Sequence, residues 1–252
     1  MKVLVTGASG FIGRQCCAKL SALGYEVHAV SSKSQSDNKV HWHKVDLLDS
    51  QQSIKLMRNI QPTHLLHLAW YAEPGKYWTS INNYHWVKAS LTLFEEFVES
   101  GGKRVVVAGS CAEYDWGFEN YSEDATPLSP VTLYGVCKHS LQMMLSSYAS
   151  LKGLSFAWGR IFSIYGPREN PKRLFASVIQ ALLQGETVEC NNGELTRDYL
   201  HVNDVASAFV ALLNSDVQGS INIGSGSGTV SYTHLRAHET VLDLVCRLLL
   251  EK

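Results

Sequence analysis

Neither sign of charge dominates this chain. Its 22 lysines and arginines stand against 23 aspartates and glutamates for a net charge of -1, and no basic run of five residues occurs. Such a surface has no long-range attraction for nucleic acid or an anionic membrane, so neither is an expected partner. No apolar run reaches the length of a membrane span, and the opening MKVLVTG enters a strand pattern without the apolar stretch of a secretion signal. The chain therefore reads as cytoplasmic. Its six cysteines, at 16, 17, 111, 137, 190 and 246, show neither paired metal-ligand spacing nor a disulfide framework. They read as reduced packing residues, and no metal chemistry is suggested. Internal repeats and low-complexity linkers are missing as well.

What is present is a core-forming chain of 252 residues, 45% hydrophobic, in which short apolar runs alternate with helical patterns. Strands are predicted at KVLVTG, YEVHAV, VHWHKVD, THLLHLAW, RVVVAGS and LSFAWGR. Helices are predicted over 11–23, 50–60, about 79–100 and from Tyr134 to about Lys152. Strand and helix in regular turn imply parallel strands with crossover helices on both faces: a doubly wound α/β sheet of Rossmann type. Ligands of such sheets bind beyond the carboxyl ends of the strands.

In VTGASGFIG, Gly7, Gly10 and Gly13 fall where the first strand turns into the first helix. Bare backbone there permits a tight turn, close approach of a pyrophosphate and close helix-to-strand packing, so the stretch reads as a dinucleotide cradle. Asp46, at the end of the third strand, could accept from an adenine amino group. At the end of the second strand a carboxylate would bond a ribose 2′-hydroxyl and repel a 2′-phosphate, but the chain has VSSKSQS instead. Ser31, Ser32 and Lys33 offer hydroxyls and a cation suited to a phosphate monoester, so NADP(H) is the expected cofactor, with NAD(H) possible.

Tyr134 and Lys138 in LYGVCK lie one helical turn apart on one face. An ammonium near a phenol favours the phenolate, so a pKa below the ordinary value of about 10 is expected for Tyr134. Ser110, just past RVVVAG at the carboxyl edge of the sheet, could polarise a substrate carbonyl. His41, His43, His64 and His67 alternate on predicted strands and read as scaffold.

With TGASGFIG, LLHLAW, GSCAEY, YGVCK, RIFSIYGP and RDYLHVNDVASA in this order, the chain from residue 1 to about 228 resembles the extended short-chain dehydrogenase/reductases, in their epimerase/dehydratase branch. The resemblance implies catalytic roles for Ser110, Tyr134 and Lys138, with Lys138 also holding the nicotinamide ribose. It implies dinucleotide contacts from Gly7, Gly10, Phe11, Ile12, Gly13, Ser31, Ser32, Lys33, Asp46, Leu47, Leu68 and Ala69. The substrate side is expected at Trp70, Tyr71, Cys111, Ser163 and Arg197. Arg197 matches an arginine that meets the substrate diphosphate in related epimerases, or it pairs with Asp198 or Asp204. Sugar dehydratases carry an acid pair directly after the catalytic hydroxyl; here those positions are Cys111 and Ala112, so dehydration is not expected. What remains is an NADP(H)-dependent reductase or epimerase acting on a nucleotide-linked keto-hexose or a smaller carbonyl compound. A non-catalytic NADP(H) sensor is the alternative.

Residues 1–165 are expected to form the dinucleotide-binding domain, and 166–228 a small, incomplete substrate-binding region interleaved with the last elements of the sheet. From 229 on the family pattern is lost, and SYTHLRAHETVLDLVCRLLLEK resembles translated sequencing adaptor, as on truncated metagenomic reading frames. A homodimer is expected through the two long helices.

Overall fold

The computed structural model describes residues 1–36, 39–186 and 196–230. The tail from 231, Cys190 and Cys246 lie outside the described residues. Two compact units are present, and the chain passes between them more than once. The first comprises Met1–Ile161 and Asn203–Ile223, the second Phe162–Val202 and the described residues from Gly224 on.

The first unit is a seven-stranded sheet whose neighbouring strands all run parallel. Its strands are β1 (Lys2–Thr6), β2 (Glu26–Ser31), β3 (His41–Lys44), β4 (His64–His67), β5 (Arg104–Ser110), β6 (Ser155–Ile161) and β9 (Gly219–Ile223), in the order β3-β2-β1-β4-β5-β6-β9. The chain leaves β1 towards β2 and later returns to its other side at β4. The switch point of the topology therefore lies between β1 and β4, where ligands of open α/β sheets bind.

Helices cover both faces, as the alternating pattern requires. On one face α2 (Ser50–Ile60), α3 (Asn82–Glu99) and α4 (Leu133–Lys152) bury Met57, Leu93, Phe94, Phe97, Leu141 and Leu145 against Leu4, Leu65, Val105, Val107 and Trp158 of the strands. Fully burying a side chain such as Phe94 or Leu141 contributes about 1.5–3 kcal/mol. On the other face, α1 (Phe11–Ala22) meets α6 (Val202–Leu213), with the Cys16 thiol directed at the Ala206 carbonyl. The buried Arg104 guanidinium donates to the carbonyls of Leu212 and Val217 and so fixes the chain between α6 and β9 to the foot of β5.

The strand THLLHLAW ends early, at His67, because the next two amides turn to a side chain: the Leu68 and Ala69 N–H groups donate to Thr6 Oγ1 at 3.1 and 3.2 Å. The helix expected from 79 begins at Asn82, after a turn. Thr132 caps α4 by accepting the Gly135 N–H at 3.1 Å, and Gly153, with φ 64°, ends it.

The second unit has a three-stranded sheet, β10 (Gly228–Val230), β8 (Thr196–His201) and β7 (Ser163–Tyr165), together with α5 (Leu174–Leu183). Phe175 of α5 stacks edge-on against Tyr199 of β8. Asp198 accepts from the Ser225 amide and hydroxyl, both at 2.7 Å, and from the Gly226 amide at 2.9 Å, which fixes the turn leading into β10.

Candidate active site

The glycine turn is built as a cradle. Gly7 has φ +65°, a conformation side chains disfavour, and a Cβ on it would lie 2.9 Å from the Ala69 amide and the Leu68 carbonyl carbon. A Cβ on Gly13 would lie 2.2 Å from the Gly7 carbonyl. Gly10 is the N-cap of α1, and no side chain caps this helix. The amides of its first turn, from Phe11, Ile12 and Gly13, therefore point beyond the end of β1 without side-chain acceptors, which is where an anion is stabilised. Leu68 and Ala69 border the cradle.

The outer part of this region differs in detail from the sequence expectation. Ser31 is buried, and its hydroxyl accepts from the Lys33 amide and the Ser9 hydroxyl, both at 3.1 Å. Ser32 and Lys33 are exposed beside it. The exposed Arg14, which sequence reasoning passed over, donates from Nε to the Ser9 carbonyl at 2.8 Å and adds a second cation. Asp46 is exposed and accepts the Leu48 amide at 3.0 Å, whereas Leu47 is buried in the core.

At the end of β5, Ser110 opens a single 3-10 turn, Cys111–Glu113, in which its Oγ accepts the Ala112 amide at 3.2 Å. Tyr134 and Lys138 rise beside it from α4, so the three residues named from the sequence share one place at the carboxyl edge. The loop from Trp70 to Trp78 closes over Tyr134: the rings of Tyr77, Trp78 and Trp70 stand edge-on to it, with centroids at 4.9, 5.7 and 6.5 Å. Asn83, fully buried, holds this loop by accepting from Trp70 Nε1 at 2.8 Å and donating to the Tyr77 and Ser80 carbonyls. Tyr71 instead donates to Glu73 at 2.9 Å, within its own loop.

The expected lowering of the Tyr134 pKa does not occur. Burial raises it above the ordinary phenol value, with a hydrogen bond to Ser110 acting in the opposite direction. The reason is where the ammonium goes. Lys138 Nζ donates to the Ala108 carbonyl at 2.8 Å and lies 3.8 Å above the centre of the Trp70 ring. Burial lowers the Lys138 pKa to about 7, and the negative charge of Glu113 opposes this. The phenol thus keeps its proton through neutral pH, while the amine titrates near neutrality.

His67 fits its scaffold reading. It is buried between Thr6 Oγ1 at 2.7 Å and Ser90 Oγ at 2.9 Å, and burial, aided by the Lys138 charge, lowers its pKa to about 3. His28, His41 and His43 stack in a row along β2 and β3. Ser163 and Arg197 belong to the second unit. Ser163 pairs in register with Tyr199, and Arg197, exposed on β8, pairs with Thr229; the Asp198 carboxylate is held by Ser225 and Gly226. Glu113 is a second polar residue that sequence reasoning missed. Its signal was the spacing Ser110-x-x-Glu113, a capping box in which the carboxylate accepts the Ser110 amide at 2.8 Å.

Known proteins resemble this chain in sequence and fold. UDP-glucuronate 4-epimerase 6 of Arabidopsis thaliana is 26% identical over 262 residues, covering 94% of this chain and 56% of its own length. This chain therefore spans little more than half of that relative. The solved UDP-glucose 4-epimerase of Thermotoga maritima, with UDP-glucose, superposes with a TM-score of 0.85 at 26% identity over 96% of this chain and 83% of its own. MoeE5, solved with UDP-glucuronic acid and NAD, gives 0.83 at 33% identity over 95% and 82%. Residues 3–224 match the family model itself, and the chain belongs to the NAD dependent epimerase/dehydratase family.

Proposed function

We propose that the protein is a nicotinamide-dinucleotide oxidoreductase that reduces or epimerises a nucleotide-linked keto-hexose or a smaller carbonyl compound. The observation that carries this reading is the convergence of Ser110, Tyr134 and Lys138 at the carboxyl end of β5, in the same unit as the glycine cradle. The nucleotide-sugar class is suggested by the UDP-sugars bound to the two solved relatives. Gly7, Gly10 and Gly13, the open amides of α1, and Leu68 and Ala69 would hold the dinucleotide, which when bound supplies or accepts a hydride. Tyr134 gives a proton to the substrate oxygen or takes one from it, and Ser110 orients that oxygen by hydrogen bonding. A phenol that keeps its proton at neutral pH suits the donor role, the direction of carbonyl reduction.

Dehydration is left out of the proposal. Cys111 and Ala112 cannot act as an acid/base pair, and the neighbouring Glu113 is fully buried in an ion pair with Arg160. NADP(H) is the preferred cofactor in this reading, because β2 ends without a carboxylate and with Ser32, Lys33 and Arg14 exposed nearby. Ser163 and Arg197 are proposed to contact the substrate. Assembly as a homodimer is proposed through α3 and α4, where Tyr84, Val136, Met143, Met144 and Leu151 are exposed. Sedimentation of the protein as a monomer would remove that part.

The test of function is turnover. Purified protein is incubated with NADPH or NADH and a panel of UDP- and dTDP-linked keto sugars, then repeated with Tyr134→Phe. Loss of the acid/base group is expected to lower the rate about 10²- to 10⁴-fold while leaving dinucleotide affinity nearly unchanged. A Tyr134→Phe protein that keeps most of its rate would refute the mechanism.

A further inference from the structure

We propose that Glu113 is a positioning residue for Ser110, Tyr134 and Lys138, its buried carboxylate fixing the Ser110 backbone on one side and facing the Lys138 ammonium past the Trp158 indole on the other. The inference rests on the oxidoreductase reading above. Glu113 is 0% exposed, and its oxygens accept from three donors on two strands. These are the Ser110 amide at 2.8 Å, Trp158 Nε1 at 2.9 and 3.1 Å, and Arg160 Nε at 2.9 Å. Arg160 in turn donates to the Tyr114 hydroxyl at 3.1 Å, and that hydroxyl donates to Asn222 Oδ1 of β9 at 2.8 Å. The turn that carries Ser110 is thus tied to β6 and β9, not left to its own backbone.

The same turn sets the distance to α4. A Cβ on Gly135, between Tyr134 and Val136, would lie 2.3 Å from the Ala112 carbonyl, so the helix bearing Tyr134 and Lys138 rests directly on the turn that Glu113 anchors. Trp158 completes the link: Lys138 Nζ lies 5.9 Å from the centre of its ring, while its Nε1 donates to Glu113. A purely architectural group could be neutral, yet this one carries a charge into the interior beside a second buried cation.

The charges around Lys138 show why the sign matters. His67 faces it from β4 as a neutral imidazole, Tyr134 stands one turn earlier on α4 as a neutral phenol, and Arg160 on β6 is a cation spoken for by Glu113. Glu113 is the anion that opposes the loss of the Lys138 proton caused by burial. Without it, the ammonium would be lost at a lower pH.

The experiment reads Lys138 directly. Protein labelled with ¹⁵N at lysine Nζ is titrated by NMR, the Lys138 signal being assigned by its loss in Lys138→Met. In Glu113→Gln the Lys138 midpoint is expected to fall by about one pH unit, and in Glu113→Asp, which keeps the charge, to stay near that of the wild type. Because Glu113→Gln leaves Arg160 unpaired in the interior, Glu113→Gln/Arg160→Gln is titrated as well; it removes both charges of the pair and is expected to show a fall in the same direction, made smaller by the simultaneous loss of the Arg160 cation. The alkaline limb of the turnover profile should move to lower pH by the same amount. A Lys138 midpoint unmoved in whichever of the two neutral variants folds overturns the proposal, as does a slower Glu113→Gln enzyme with an unshifted profile. A wild type that neither binds dinucleotide nor turns over refutes the oxidoreductase reading and this role with it, and is recognised before any substitution is made.

Discussion

The two sides of the site handle polarity in opposite ways. Around Tyr134, the charged or titratable groups Glu113, Lys138, Arg160 and His67 are all at most 4% exposed, and each has a fixed partner. Towards the end of β2, Ser32, Lys33, Arg14 and Asp46 are exposed. Low dielectric on the first side makes each charge costly and each partner decisive, while water screens the second. Substitutions on the buried side should therefore appear as displaced pH windows and lost stability. On the open side they should appear as modest changes in cofactor choice.

Gly13→Ala is expected to have the largest effect on folding, because the new methyl group would sit 2.2 Å from the Gly7 carbonyl, a backbone atom that cannot swing away. A loss of about 3 kcal/mol is expected, the upper end for overpacking, together with loss of dinucleotide binding. The contrast between the sides adds a condition: the Lys138 titration midpoint should stay where it is. Urea unfolding and NMR titration of the variant check both, and a displaced Lys138 would mean that the cradle and the proton-handling groups are one mechanical unit.

Next come two pH windows that run in the same direction for the same reason. His67 is neutral in the folded chain down to about pH 3, whereas the unfolded chain protonates it below its ordinary value. The unfolded state therefore binds more protons, and stability falls as the pH drops from about 6.5; by about pH 5 the loss should approach 2 kcal/mol. Lys138 behaves alike at higher pH. Its folded pKa of about 7 lies below the ordinary 10.5, so its burial weighs fully against folding below neutrality and is relieved as pH rises. Between about pH 7 and about pH 9 the wild type should gain about 2 kcal/mol relative to Lys138→Met. Denaturant midpoints of wild type, His67→Asn and Lys138→Met across this range test the pair. A difference between wild type and Lys138→Met that stays constant from pH 7 to 9 would show that the lysine is not buried as described.

Much of this contrast could be read from the sequence, and what could not be read has a common cause. The glycine turn, the position of Ser110 after an apolar run and the one-turn spacing of Tyr134 and Lys138 are local patterns, and each appeared where the periodicity put it. What misled was the inference from spacing to energy. Tyr134 and Lys138 share a helix face, but the ammonium is drawn to the Ala108 carbonyl and the Trp70 ring, groups 30 and 68 residues away in the chain. An acidic residue such as Glu113 reads as surface until Trp158 and Arg160 arrive from β6 to satisfy it. Ser31 looked like a free hydroxyl until Ser9 and Lys33 bonded to it. Burial and long-range partners decide such matters, and a window of neighbouring residues contains neither.

The smallest expected effect lies on the open side and concerns Lys33. The side chain is exposed, so its contact with a 2′-phosphate would be screened by salt and shared with Ser32 and Arg14. Lys33→Ala should weaken NADPH binding about five- to tenfold at low ionic strength and less at high, with NADH affinity unchanged, since only the phosphate monoester meets the cation. Replacing Arg14 as well should bring the two cofactors close to parity. Fluorescence titration of NADPH and NADH at two salt concentrations is the measurement. Equal affinities already in the wild type would remove the NADP(H) preference and leave the cradle indifferent to the 2′ position. In that case Ser32, Lys33 and Arg14 form a solvated edge and nothing more, and the contrast between the two sides of the site becomes one of chemistry against mere surface.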